Sequence, residues 1–343
     1  TTKQANQRNY DRLGVSFDLQ HGESFYADML PAVIGKVEEA GLGQREADGA
    51  LIVKELRDKN NKELPTFLIQ RSDGATLYLT RDLATIIYRE REYHPKKLIY
   101  VVGQPQELHF RQVFTLVQAL GYAKDIELIH ITFGTVFDEF GRKLSTREGN
   151  MIYLETLLDD AQRRVKALIE EKIAEGKTDL LSEQVDEVAE QVGIGAVIYN
   201  DLFQDTKRNI TLDWDRMLSF EGNSAPYLQY THARCCSILR EAGDIPAAFD
   251  AAQLQSEQEL AVIKQIARFP SVVRRAGESY APYVIADWLY TTAREFARFY
   301  RDHSVLKAST PELRAARLHL VAATAQSLRN GLGLLGIKAP ERM

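Results

Sequence analysis

The chain has 343 residues, 45% of them apolar and 27% charged, with a formal net charge of −5. That length supports two or three domains with cores of their own, the composition is that of a globular protein, and no apolar run reaches the roughly 18 residues of a membrane span. So mild a charge neither demands nor excludes a nucleic-acid partner, because phosphate binding depends on local basic patches.

In chain order, the opening TTKQANQRNYDRLG reads as a polar helix entered midway, behind Thr1 rather than an initiator methionine. We expect from this a chain that lacks a front segment and keeps its own end. Residues 23–41 carry helical apolar spacing despite Pro31, and LIVKEL and TFLIQR flank a turn-rich DKNNKELP as a hairpin. Thr80 is the expected N-cap of a helix from Arg81 to about Glu92. KKLIYVVG (96–103) reads as a buried strand, residues 107–122 as a helix and ELIHITFGTVF (127–137) as a second strand. Strand, helix and strand with short connections form a βαβ unit of a parallel sheet.

A polar loop, DEFGRKLSTREGN (138–150), precedes a long helical run starting near Leu154. Helices are expected over roughly 183–204, 225–242, 253–275, 282–302 and 310–330, interrupted by an extended ITLDWDRML (210–218). The last helix starts with Thr310-Pro311-Glu312 and is expected to stop at Gly331. The fold class is therefore α/β followed by all-α.

Cys235 and Cys236 are adjacent and cannot build an ordinary disulfide framework. With no signal segment at the start, a reducing cytoplasm is the expected compartment. The seven histidines contain no His-x-x-x-His pair, so no metal site is expected. EGKT (175–178) resembles the end of a phosphate-binding loop, but it follows a helix and has Glu171 where the first glycine belongs.

Ligands of a parallel α/β sheet bind beyond the carboxyl ends of its strands. Three segments meet that description: Tyr78–Asp82, Gly103–His109 and the loop 138–150. In that loop Arg142, Lys143 and Arg147 supply charge, and Ser145 and Thr146 supply hydroxyls. Such a loop can close on a triphosphate and neutralise charge on a leaving pyrophosphate; by composition it is equally a solvated turn. Tyr78 and Asp82 are four apart across a helix start and can face one pocket. Asp82 can accept paired hydrogen bonds from a planar guanidinium, or simply serve the helix dipole.

KLSTR resembles the "KMSKS" loop of class I aminoacyl-tRNA synthetases, with Thr146 and Arg147 in its last two places. YDRLGVSFD (10–18), RSDGATLYLTRDLA (71–84), YVVGQPQELH (100–109), DWDRMLSFEGNSAPYLQY (213–230) and GLGLLGIKAPERM (331–343) resemble the arginyl branch of that class, in its order and across the whole chain. The resemblance implies the second half of a Rossmann-type nucleotide-binding domain followed by a helical anticodon-binding bundle. It implies four regions: an insertion (1–75), the second half of the catalytic domain (76–153), a helical linker (154–209) and the anticodon-binding domain (210–343).

It also implies roles. Lys143, Ser145 and Arg147 would act in catalysis, with Lys143 and Ser145 on ATP. Tyr78, Asp82 and Gln106 would hold L-arginine. His109 would lie beside ATP, or simply pack at its helix entry. Tyr227, Tyr230, Arg234, Tyr300 and Met343 would meet the tRNA anticodon loop, the tyrosines being otherwise core fillers. Lys207-Arg208 and Arg274-Arg275 are candidates for phosphate. The implied partners are tRNA(Arg), L-arginine and ATP with its Mg2+, with no tightly bound cofactor, no membrane, and a monomer as the full-length form. The family's "HIGH" signature has no counterpart, since no His-x-Gly-His occurs in the sequence. The family's N-terminal tRNA-elbow domain has no counterpart either. The chain alone is therefore expected to be inactive. A non-catalytic tRNA-binding module and a helical interaction protein are the competing readings; neither has a use for an arginine pocket.

Overall fold

A computed structural model describes residues 2–144, 152–176, 178 and 180–343. The chain divides into two compact units, one of residues 17–134 and one of residues 1–16 with 135–343.

In the first unit, Glu23–Met29 form a 3-10 turn that leads into α2 (Leu30–Glu39). Pro31 stands in the first turn of α2, where its missing N–H costs no helical bond, so it starts the helix and does not interrupt it. The strands β1 (Gln44–Arg45), β2 (Leu51–Val53) and β3 (Phe67–Gln70) form an antiparallel sheet in that order. Helix α3 runs Tyr78–Tyr93, three residues earlier than the sequence suggests. Thr80 is therefore not its N-cap: it is fully buried in the first turn, and its hydroxyl donates to the Ile69 carbonyl of β3. A buried hydroxyl needs a partner, and the Ile69 carbonyl supplies it.

β4 (Lys97–Val101), α4 (Glu107–Ala119) and β5 (Glu127–Ile131) form the expected βαβ unit, with β4 and β5 parallel and in register from Lys97–Glu127 to Val101–Ile131. The continuous apolar run of β4 is not buried on both faces. Leu98 and Tyr100 pack on the core with Val113, Leu116 and Val117 of α4, while Ile99 and Val101 are 45% and 63% exposed. Two-sided burial of a parallel sheet needs cover on both faces, and this pair is packed on one.

In the second unit, α1 (Thr2–Leu13) lies against the helical core through Arg12, which forks onto Glu190 (2.8 and 3.0 Å) and reaches Asp159 at 2.6 Å. The long segment 127–137 is broken after β5, and β6 (Val136–Phe137) pairs in parallel with β7 (Ile210–Thr211). ITLDWDRML is thus strand for two residues; Asp213 then caps α7 (Trp214–Met217) by accepting from the Arg216 amide. The remaining helices are α5 (Leu154–Ala174), α6 (Val185–Leu202), α8 (Ala225–Ala242), α9 (Glu257–Ser279), α10 (Tyr283–Asp302) and α11 (Pro311–Leu334). Thr310 caps α11 as expected, its hydroxyl accepting from the Leu313 amide. Gly331 does not end that helix. It is buried inside it, where a Cβ would lie 2.8 Å from Leu289 and 2.9 Å from Trp288 of α10, so close packing rather than chain reversal demands the glycine.

The same requirement governs α6. A Cβ on Gly193 would sit 2.8 Å from the Ala161 and Gln162 backbone of α5. A Cβ on Gly195 would sit 2.9 Å from Gln229 of α8 and 3.0 Å from Ile337. Two positions apart on a helix point in nearly opposite directions, so these glycines admit one neighbour on each side. Gly193→Ala should separate α5 from α6, because its obstruction is backbone and cannot rotate away. We expect a loss of about 2–3 kcal/mol, seen as a fall of roughly 4–10 °C in the melting of the helical unit.

Candidate functional site

In the first unit the start of α3 and the start of α4 present the polar groups picked out from the sequence. Tyr78, the first residue of α3, is 68% exposed, and Gln106, the residue before α4, is also exposed. Asp82, one turn into α3, is half-buried, and its Oδ2 lies 2.6 Å from Nε2 of His109 in the first turn of α4. The structure therefore brings Asp82 and His109 together and holds one carboxylate oxygen in place. His109 also meets Phe110 edge to face, with ring centres 5.3 Å apart. Burial pushes the nearby Tyr100 phenol up to about 12, against the lowering effect of Arg89 and with the Asp82 charge adding to the rise.

In the second unit the basic loop begins as a hairpin built on Asp138. Its Oδ1 accepts the Phe140 and Arg142 amides, at 3.0 and 2.8 Å, and its Oδ2 accepts Nε of Arg142 at 2.8 Å. Burial works against the Asp138 charge, but the Arg142 amide and guanidinium outweigh it and hold the carboxyl below its usual range. Gly141, at φ +75°, makes the reversal. Arg142 is thus already partnered and also covers the Phe140 ring at 5.1 Å. Lys143 pairs across the hairpin with Phe137. Ser145, Thr146 and Arg147 lie outside the described residues.

The helical bundle assembles alternating rings and cations. Lys172 of α5 lies 3.4 Å above the ring centre of Phe220 and 5.7 Å from that of Tyr230. Arg234 lies 4.6 Å from the Tyr230 ring and 5.3 Å from the Tyr300 ring, and its Nη2 donates to the Tyr230 hydroxyl at 2.7 Å. Tyr300 is 40% exposed and stacks over buried Phe296. Tyr227 meets Tyr290 edge to face at 6.1 Å, and Arg294 covers Tyr290 at 5.9 Å. Tyr227, Tyr230, Arg234 and Tyr300 therefore come from α8 and α10 as half-buried or exposed rings with cations, and are not sealed core. Sequence reading missed Lys172, Phe220 and Tyr290. The spacing Tyr290–Arg294 was a usable signal, since i and i+4 share a helix face. Lys172 and Phe220 lie on elements far apart in sequence and left none.

Met343 is elsewhere. It packs on the α5–α6 core, and its main-chain oxygen accepts from Thr178 at 2.9 Å. The tail that carries it is held by Gln229 donating to the Lys338 carbonyl, His232 Nδ1 to that of Pro340 and Arg240 to that of Glu341.

Residues 1–214 match the family described as tRNA synthetases class I (R), catalytic domain, and residues 228–343 match the DALR anticodon binding domain. The chain belongs to the arginyl-tRNA synthetase family. It is 58% identical over 345 residues to the arginine–tRNA ligase of Chloroflexus aurantiacus, covering all of this chain and 58% of that protein. It is 42% identical over 338 residues to that of Halothermothrix orenii, covering 98% of this chain and 57% of the relative. The solved arginyl-tRNA synthetase of Thermus thermophilus superposes with a TM-score of 0.86 at 28% identity, covering 99% of this chain and 62% of that one. The chain thus spans rather more than half the length of these relatives. The class I catalytic fold and the helical anticodon-binding fold are both present, and no helix among the described residues is long and apolar enough to cross a membrane.

The tail clamp yields a pH dependence. His232 is fully buried, and burial depresses its imidazole below the ordinary value of about 6.5, outweighing the raising effect of the Pro340 carbonyl. A base depressed in the folded state stabilises it fully above its unfolded pKa, and that stability is lost as pH falls through the folded one. Thermal stability should hold from pH 8 to about 7 and decline as the buffer is taken toward 5, with residues 338–343 gaining hydrogen exchange first. His232→Gln should flatten that part of the profile.

Proposed function

We propose that this chain supplies the arginine-recognising and tRNA-reading parts of an arginine–tRNA ligase. In that reaction the arginine carboxylate attacks the α-phosphorus of ATP to give arginyl-adenylate and pyrophosphate, and the tRNA 3′ end then takes the arginyl group. Positioning and charge stabilisation do the work, with no covalent enzyme intermediate. Asp82 is the acceptor for the substrate guanidinium, with Tyr78 and Gln106 beside it. Lys143, Ser145 and Arg147 neutralise the phosphates, and Mg2+ arrives with ATP; among the described residues no cluster of three His, Cys, Asp or Glu could hold a metal. His109 acts on Asp82 rather than on ATP in this reading, because its ring nitrogen is already committed at 2.6 Å.

The observation that carries the RNA half is the run Phe220, Lys172, Tyr230, Arg234, Tyr300. Unstacked bases are held by aromatic faces and guanidinium planes, and phosphates by cations, and this run offers all three on one unit. The DALR match over residues 228–343 supports the same reading. A non-catalytic RNA module would share the ladder but has no need of Asp82.

The chain should bind arginine-specific tRNA over a non-cognate tRNA across a salt series measured by fluorescence anisotropy. Tyr230→Ala and Tyr300→Ala should each weaken cognate binding by about tenfold, in keeping with one lost stacking contact. Binding that is equal for both tRNAs and erased by salt would leave only nonspecific charge and defeat the proposal. Adenylate formation by the chain alone, followed by ATP–pyrophosphate exchange, should be below detection, because the sequence holds no His-x-Gly-His. Robust exchange would overturn the assignment of the remaining ATP contacts to that motif.

A further inference from the structure

The exposed face of α9 carries a second basic feature outside the aromatic run. Lys264, Arg268 and Arg275 are spaced by four and seven residues, which places them within about 40° of one another on the helix. All three are exposed, and among the described residues none makes an ion pair. Exposed Lys207, Arg208, Arg274, Lys307 and Lys338 of the same unit likewise have no carboxylate in range among the described residues, so the α9 residues are set apart by standing in one row, not by being unpaired. Arg12, Arg163, Lys166, Arg298, Arg301, Arg317 and Arg329 each have a carboxylate within hydrogen-bonding range. Unpaired cations in one row on a chain of net charge −5 are a local field of the opposite sign to the whole.

The shape of the face favours a long polyanion over a compact one. Lys264 and Arg268 line an open groove of about 640 Å³ with Gln265, Ala267 and Ser271. Small side chains between the cations let a backbone approach closely. Along the axis the three charges extend about 16 Å, with Arg268 about 6 Å from Lys264 and Arg275 about 10 Å further on. Glu257 and Glu295 also line the groove, but Glu295 is already neutralised by Arg298 at 3.0 Å with Arg294 at 3.9 Å. Arg294 in turn covers Tyr290, which meets Tyr227, so α10 joins the groove to the aromatic face.

We infer that the Lys264–Arg268–Arg275 row is a phosphate track that holds the RNA backbone while the α8–α10 rings take bases. This rests on the RNA-reading role proposed above and assigns it a sequence-independent half. Phosphate contacts fix register and supply salt-dependent affinity, whereas base contacts discriminate. The track therefore contributes equally to cognate and non-cognate RNA, and the tyrosines contribute to the difference between them.

The test uses the 343-residue chain, labelled arginine-specific tRNA and a labelled non-cognate tRNA, titrated at several salt concentrations. A control chain with Lys59, Lys62 and Lys124 changed to Gln removes the same charge from exposed positions on the other unit. The triple variant K264Q/R268Q/R275Q, checked for unchanged melting, should bind both tRNAs at least about tenfold more weakly at moderate salt. The slope of log affinity against log salt should drop by about two to three, one per lost contact, while the control stays near the parent. Parent-like affinity and slope in the triple variant would overturn the track, as would a loss matched by the control or one confined to the cognate tRNA. If the parent chain binds neither tRNA, the RNA-reading role itself fails and the track falls with it. If the parent binds and only the tyrosine variants lose cognate preference, the role stands and the track alone is wrong.

Discussion

Helix α6 has to be approached closely from both sides, by backbone at Gly193 and by side chains at Gly195, and the packing of the helical unit depends on that. Gly193 lets α5 come within contact of α6 main chain to main chain, and Gly195 on the reverse side admits Gln229 of α8 and Ile337 of the tail. Gln229 uses that room: its amide nitrogen donates to the carbonyls of Gln191 and Lys338, tying α8 to α6 and to the C-terminal segment at once. The amide nitrogen is thus satisfied twice, while the buried Oε1 of the same side chain has no hydrogen-bond partner. Lys172 of α5 reaches the ring of Phe220, ahead of α8, and that of Tyr230 on α8.

Charge is handled in two distinct ways. Where a cation organises structure it is partnered: Arg12 forks onto Glu190, and buried Arg317 holds Glu259 at 2.7 Å and the Ser304 carbonyl at 2.8 Å. Glu259 is itself buried, yet its carboxyl stays below the ordinary range, because the Ser256 amide and Arg317 outweigh desolvation. Other cations lie over rings, as Arg234 does over Tyr230 and Tyr300, or stand exposed on α9, as Lys264, Arg268 and Arg275 do. Asp138 belongs to the first kind. By absorbing Arg142 it turns the head of the basic loop into scaffold, which a count of positive charges in the loop cannot reveal.

In the unit of residues 17–134 one bond joins the starts of two helices. Tyr78 and Asp82 lie on α3, His109 on α4 and Gln106 just before it, and the Asp82–His109 hydrogen bond ties the two helix starts together. A half-exposed aspartate near a helix start has freedom in both side-chain torsions. A single short bond to a half-buried imidazole removes it, and an oriented carboxylate is what a planar bidentate partner requires. The open apolar face of β4, with Ile99 and Val101, belongs to the β4–β5 strand pair and is a consequence of one-sided packing.

The sequence alone determined the class of fold, the order of its elements and the family, because these depend on local periodicity, capping and contiguous motifs. Helix α8 runs from Ala225 to Ala242 as its apolar spacing requires, and Thr310-Pro311 starts α11 as its chemistry requires. Asp82, Gln106 and Tyr230 could be picked out because each lies in a contiguous motif. Tertiary structure decided what depends on which distant groups compete for the same atom. Thr80 turned from cap to interior donor because the Ile69 carbonyl was within reach, and Gly331 turned from stop to packing residue because α10 lies against it. It also decided that Lys172 and Phe220 join Tyr230 and that Arg142 is consumed by Asp138. Periodicity is a property of neighbours in the chain, whereas partnership is a property of neighbours in space, and only the folded chain fixes the second.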